Sequence, residues 1–175
     1  MKILIALTLT LALVFGIGAA AMASPLVPLA EGQFTVFGEY ASDAYIFDAE
    51  NALVLGVGYG LTDSFTLGGE IQFHSSWTLY GLYAKLSFDP FIVSADFFYS
   101  TGGGGFYGKL VGLYMFDLDV VNLAVGGGLA YDDGDVTWLV EADASLSLSE
   151  NVAINGSIGY NPDGTVFQAG LSITF

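Results

Sequence analysis

The sequence contains no cysteine and no arginine, and its three lysines are the only strongly basic side chains. Without cysteine there is no disulfide framework and no thiolate metal site. With no arginine and a formal net charge of −15, the chain lacks the cations that neutralise a phosphate backbone, which excludes nucleic acid as a partner. Charged residues make up only 12% of the sequence, well short of the roughly 25% of an ordinary soluble domain. Hydrophobic types reach 54% and aromatics 15%, yet a long apolar run occurs only at the start, over residues 3–17. The remaining apolar content is dealt out one residue at a time, as strands require. The length of 175 residues suits one domain.

Residues 1–23 read as a signal peptide. Lys2 gives the positive start, Ile3 to Ile17 the apolar centre, and Ala21-Met22-Ala23 the small-x-small cleavage pattern. Cleavage there makes Ser24 the mature N-terminus and Ser24 to Gly32 a short periplasmic lead-in. Only Lys85 and Lys109 then remain as strong bases in the mature chain.

From Gln33 onward the period is two. Leu53, Leu55, Val57, Tyr59 and Leu61 share one face, and Ala52, Val54, Gly56, Gly58 and Gly60 the other. After Thr62-Asp63-Ser64 the pattern resumes as Phe65, Leu67, Gly69, Ile71, Phe73 against Thr66, Gly68, Glu70, Gln72, His74, which makes a hairpin. Strands are expected over 33–41, 51–61, 65–74, 77–88, 91–99, 106–116, 120–131, 136–148, 152–160 and 165–175. Asp89-Pro90, Asp117-Leu118-Asp119, Ser149-Glu150-Asn151 and Asp132 to Asp135 supply turn chemistry between them. Residues 33–175 thus predict an all-β fold, a single antiparallel barrel of about ten strands with short loops on both sides. Eight strands follow if the first strand or one hairpin is assigned otherwise.

One face of these strands carries bulky apolar residues, and the other carries Gly, Ala, Ser and acids. A soluble barrel would put its large apolar residues inside, whereas here the small and polar face suits a crowded lumen and the greasy face suits lipid. Strands of this length cross a bilayer when tilted. Aromatics cluster near strand ends, as interfacial girdles do. In the last strand Phe167, Ala169, Leu171, Ile173 and Phe175 alternate with Gln168, Gly170, Ser172 and Thr174, and the sequence ends on the phenylalanine. This strand resembles the C-terminal assembly signal of small bacterial outer-membrane β-barrel proteins, a porin-like class. The resemblance implies export to the outer membrane, insertion by the barrel-assembly machinery, and outer-membrane lipids as surroundings.

The expected lumen charge cluster contains Lys85, Asp96, Lys109, Glu39, Glu70, Glu141 and Asp143. Pairing of strands 91–99 and 106–116 places Asp96 opposite Lys109, with Lys85 on a diagonal, so that both bases serve one carboxylate. Glu39, Glu70, Glu141 and Asp143 share the inward face without an obvious base, which makes the interior attractive to small cations. His74-Ser75-Ser76 has a His-x-Ser spacing similar to outer-membrane lipid A deacylases, but Leu86 stands near the place of their glutamate, and strand parity turns His74 inward. The long extracellular extensions of ten-stranded outer-membrane proteases are missing. Gly102 to Gly105 has no lysine following it as a phosphate loop would, and Asp132-Asp133-Gly134-Asp135 lacks calcium-loop spacing. The expectation is a narrow cation-preferring channel or a structural membrane component, with no catalytic residue, cofactor or metal. The alternative is an exported barrel holding an apolar ligand, with the bulky face turned inward.

Overall fold

A computed structural model describes residues 26, 29–42, 51–102, 105–162 and 164–175. The signal-peptide reading of residues 1–23 lies outside the described residues. Ten strands form: β1 (Phe34–Ser42), β2 (Ala52–Thr62), β3 (Phe65–Phe73), β4 (Thr78–Phe88), β5 (Phe91–Ser100), β6 (Phe106–Leu118), β7 (Val121–Asp132), β8 (Asp135–Ser147), β9 (Val152–Asn161) and β10 (Gly164–Thr174). Each pairs antiparallel with its chain neighbours, and β1 pairs with β10 to close a barrel. The ring has ten strands, not eight. Their boundaries fall close to the turn chemistry of the sequence, because Asp, Ser, Asn and Pro interrupt a ladder that the β-branched and aromatic runs sustain. At the seam the Phe34 N–H donates to the Phe175 carbonyl (3.0 Å) and the Phe175 N–H to that of Phe34 (2.7 Å).

Side-chain alternation decides what each wall presents. From Ala52 to Gly60 every second residue is buried and the intervening ones are exposed. Leu55, Val140 and Ile173 all face outward, at 47%, 47% and 41% exposure. An inward-facing apolar lining of the kind a soluble ligand barrel needs is therefore not built from these residues.

The inner wall is bulkier than its Gly, Ala and Ser content suggests. Leu79, Ile92, Val111, Leu113 and Leu139 point inward, as do the rings of Phe37, Tyr83, Phe98 and Tyr107. Three of these rings stand directly across from a glycine. Phe37 pairs with Gly56, Tyr83 with Gly68, and Phe98 with Gly81. A Cβ added at any of these glycines would fall on the facing ring. The concave side of a closed wall crowds cross-strand neighbours together, so a large ring lies flat only where its partner has no side chain. The Tyr83 hydroxyl reaches past Gly68 and donates to the Val57 carbonyl on β2 at 3.2 Å.

This packing predicts a contrast between two glycines. Gly81→Val drives a side chain into Phe98 and the Glu70 stem and is expected to destabilise the barrel by about 1–3 kcal/mol. Outward-facing Gly112 has nothing within 4 Å of an added Cβ, so Gly112→Ala should shift stability by no more than about 0.5 kcal/mol. Urea unfolding in phospholipid vesicles, followed by tryptophan fluorescence, measures both. Equal effects at the two positions would mean that ring-on-glycine packing is not the constraint.

Candidate functional site: the charged lumen

The inward parity of six strands gathers seven charged residues inside the wall. Glu39 comes from β1, Glu70 from β3, Lys85 from β4, Asp96 from β5, Lys109 from β6, and Glu141 and Asp143 from β8; all are buried. Asp96 stands across from Lys109 in the ladder, and its Oδ2 lies 3.5 Å from the lysine Nζ. The closer partner of Lys109 is Glu141, two strands away. Nζ donates to both of its carboxylate oxygens, at 3.0 Å to Oε1 and 2.9 Å to Oε2.

Strand β7, which lies between them, explains this reach. Its central inward positions are Ala124, Gly126, Gly128 and Ala130. A Cβ on Gly126 or Gly128 would strike the backbone carbonyl of Gly112 or Leu110 on β6. The strand therefore lies close against β6 and offers a lane free of bulk, over which the lysine stem extends to β8. The expectation that Glu141 has no obvious base is corrected on this ground: a long lysine stem is not confined to its ladder neighbour.

Lys85 stands on the diagonal from Asp96, whose own ladder partner on β4 is Tyr83. Lys85 is in register with Thr66 and Ser94, and its Nζ is 5.9 Å from the centre of the Tyr83 ring. Asp96 further accepts a hydrogen bond from Ser94 Oγ (3.2 Å), and Glu70 accepts one from Gln72 Nε2 (2.8 Å). Glu39 lies over Gly170, its register partner on β10, where an added Cβ would meet its Cγ.

A neutral polar rung complements the charges. Ser145 Oγ donates to Asn155 Oδ1, and Asn155 Nδ2 donates to Ser172 Oγ, both at 2.9 Å, tying β8, β9 and β10 together. The sequence reading did not single out Gln72, Ser94, Asn155 or Ser172 as site residues. Their signal was present, since each has the strand parity of the charged residues.

The remaining predicted positions lie away from this cluster. Leu171, Ile173 and Phe175 are exposed on the outer wall, whereas Phe167 is half-buried against the group containing Phe37, Ala41 and Val54. The His74 ring stacks on Trp77, with centroids 3.4 Å apart and planes at 15°, while Ser76 is exposed. Asp133 and Gly134, at φ 39° and 114°, form the turn between β7 and β8. Among the described residues, no group of three His, Asp or Glu converges as a metal site.

Outside, aromatic rings gather at both rims. Phe88, Phe91, Tyr114 and Phe116 form a chain of contacts at the end where β1 begins and β10 ends, with ring centroids 6.3, 5.4 and 4.8 Å apart in succession. At the other end Tyr99 contacts Phe106 (5.3 Å) and Trp138 contacts Tyr160 (5.7 Å). Rings at the two ends of an apolar outer wall, around a charged lumen, mark a transmembrane β-barrel.

Several solved structures are similar to the chain at low identity. The chain is similar to a de novo designed transmembrane β-barrel at 14% identity and a TM-score of 0.44, covering 85% of this chain and 99% of that one. It is similar to the KdgM porin at 15% identity and a TM-score of 0.48, covering 82% and 99%. A triple mutant of the Rhodopseudomonas blastica porin matches at 14% identity and a TM-score of 0.40, covering 81% of this chain and 51% of that one. No protein-family model and no curated protein matches the chain.

The cluster predicts a coupled pair. Lys109→Met leaves Glu141 and Asp96 facing each other without their base and should cost about 3 kcal/mol of stability. Adding Glu141→Gln should recover a substantial part of that loss. A double-mutant cycle on unfolding free energies measures the coupling, and strict additivity would show that the 2.9 Å contact contributes nothing.

Proposed function

We propose that the protein is a bacterial outer-membrane barrel acting as a narrow channel that prefers small cations. One observation carries this reading: five buried inward carboxylates face two buried inward lysines. Lys109 is already held between Glu141 and Asp96, so it offers little attraction to a passing anion. An acidic, low-dielectric passage concentrates cations and repels anions. The bulk of Leu79, Ile92, Val111 and Leu139 inside the wall limits the bore, which argues for small ions and against wide diffusion of solutes. The same filling favours the second reading, a structural barrel without flux.

In this proposal the mature chain is exported by its signal peptide, and outer-membrane lipids surround the exposed apolar wall. The barrel-assembly machinery takes the final strand as its cue, through Phe167, Ala169, Leu171, Ile173 and Phe175. No step in the reading requires an enzyme's machinery, a cofactor or a metal.

Reversal potentials across planar bilayers in asymmetric KCl test the selectivity. Cation preference is expected, and Glu70→Gln combined with Asp143→Asn should lower the cation-to-anion permeability ratio by about twofold or more. Anion preference of the unmodified protein would sink the proposal, and silent, correctly folded barrels would favour the structural role.

A further inference from the structure

Two leucines that precede the first strand are buried, Leu26 at 3% exposure and Leu29 at 4%. Neither belongs to the barrel wall, and a lead-in standing clear of the barrel would bury neither. Leu26 packs in the cluster of inward residues formed by Ile92 of β5, Val111 and Leu113 of β6, Ala124 and Ala130 of β7, and Leu139 of β8. Leu29 lies on a different wall. Its N–H donates to Thr66 Oγ1 of β3 at 3.4 Å, and its Cδ1 is 3.4 Å from where a Cβ of Gly58 on β2 would stand.

In a ring of ten strands, β2 and β3 lie across the lumen from β7 and β8. Leu26 and Leu29 are three residues apart, a reach of about 10 Å. They therefore engage facing sides of one narrow mouth.

The chain is anchored on the β2 side. Gly32 N–H donates to the Gly60 carbonyl and Gly60 N–H to the Gln33 carbonyl, both at 2.9 Å. Glu31 N–H donates to Asp63 Oδ1 of the β2–β3 turn at 3.0 Å. Gln33 N–H closes on the Ala30 carbonyl at 3.0 Å, and Ala30 N–H donates back to Gln33 Oε1 at 2.9 Å. Gly32 sits at φ 82°, a left-handed conformation that reverses the chain out of β1 and back into the mouth. Gly60 makes the room, because a Cβ there would fall on the Ala30 carbonyl. Thr66, which receives Leu29, is in register with Lys85, so this stopper lies against the charge cluster from the end where β1 begins and β10 ends.

We infer that Leu26 and residues 29–33 are a resident stopper of the lumen at the end where β1 begins and β10 ends, and that ions pass only when the two leucines leave their sites. The inference rests on the channel reading. The anchor at Gly60 stays in place while the leucines come and go, with Gly32 as the pivot. The apolar contacts of Leu26 hold the closed form, so its strength is set by hydrophobic burial and not by the charges that select the ion.

The absence of cysteine makes a direct test possible. The exported protein is reconstituted in planar bilayers beside Leu26→Ser/Leu29→Ser and beside Leu29→Cys/Thr66→Cys. The serine variant is expected to spend about tenfold or more time conducting than the unmodified protein. The cysteine variant should fall silent when oxidised and regain the unmodified protein's activity on reduction. Heat-modifiable gel migration establishes that each barrel is folded, and the cysteine variant keeps the test valid if the serine variant does not fold. Unmodified protein and serine variant conducting alike, with cation preference intact, would overturn the stopper while leaving the channel reading standing. An oxidised cysteine variant that conducts like its reduced form would do the same. If even a folded barrel lacking residues 24–31 passes no ions, the channel reading fails and the stopper has nothing to gate.

Discussion

The ladder between β1 and β10 is the constraint on which the other features rest. An open sheet in hydrocarbon would leave a row of N–H and C=O groups with no partner, each costing several kcal/mol. The register from Thr35↔Thr174 to Ser42↔Phe167 removes that edge, and the paired Phe34 and Phe175 amides finish it at the rim. Closure has a second consequence. Once the sheet has an inside, every residue of every strand must suit either lipid or a confined lumen, and the period of two becomes a strict sorting rule. Leu, Val, Ile and the girdle rings can occupy the convex side freely, because it fans neighbours apart. The concave side presses them together, and there side chains must be small, flat or mutually attractive.

Each of those three solutions appears in its own sector. Around β1 to β5 the rings of Phe37, Tyr83 and Phe98 lie against Gly56, Gly68 and Gly81, so bulk on one strand is matched by its absence on the next. Along the middle of β7 the inward face is reduced to alanine and glycine, and the vacated lane is used by Lys109 to join Asp96 on β5 to Glu141 on β8. Around β8 to β10 the serines and Asn155 bond across three strands. The charges are thus located by the glycines. A side chain at Gly128 would both push β7 off β6 and obstruct the lysine's route.

Strand limits, closure and the sidedness of each strand were legible because they depend on local alternation and on turn residues such as Thr62-Asp63-Ser64 and Asp132 to Asp135. The facing of Asp96 and Lys109 was legible too, since a short hairpin fixes its own register. The partnership of Lys109 with Glu141 was not, because it crosses a strand and depends on how closely β7 approaches β6. Nor were the inward rings read as such: Tyr83 has the parity of Lys85, but a bulky residue at an inward position makes sense only once the opposing Gly68 is seen. The burial of Leu26 and Leu29 left no periodic trace, since two apolar residues in a Pro-containing lead-in carry no pattern. What escaped the sequence is what depends on packing between elements distant in the chain.

In the proposed channel, the arrangement of the lumen groups bears on how so full a passage would discriminate between ions. Bulky residues such as Ile92, Val111 and Leu139 narrow the passage, and an ion in such a passage must exchange part of its hydration shell for groups on the wall. A lysine free to swing into the passage would offer an anion that replacement. Lys109 cannot, because two carboxylates hold its ammonium and the packed lane of β7 lies beneath its stem. Its charge is spent on the wall. In the proposed channel the five buried acids, Glu70 with its Gln72 donor and Glu39 over Gly170 among them, outnumber the two lysines and so give the interior its sign. Selectivity in that proposed channel is therefore tied to how the wall is held together: the contacts that brace β5, β6 and β8 are the same ones that keep the charge of Lys109 from the ion's path.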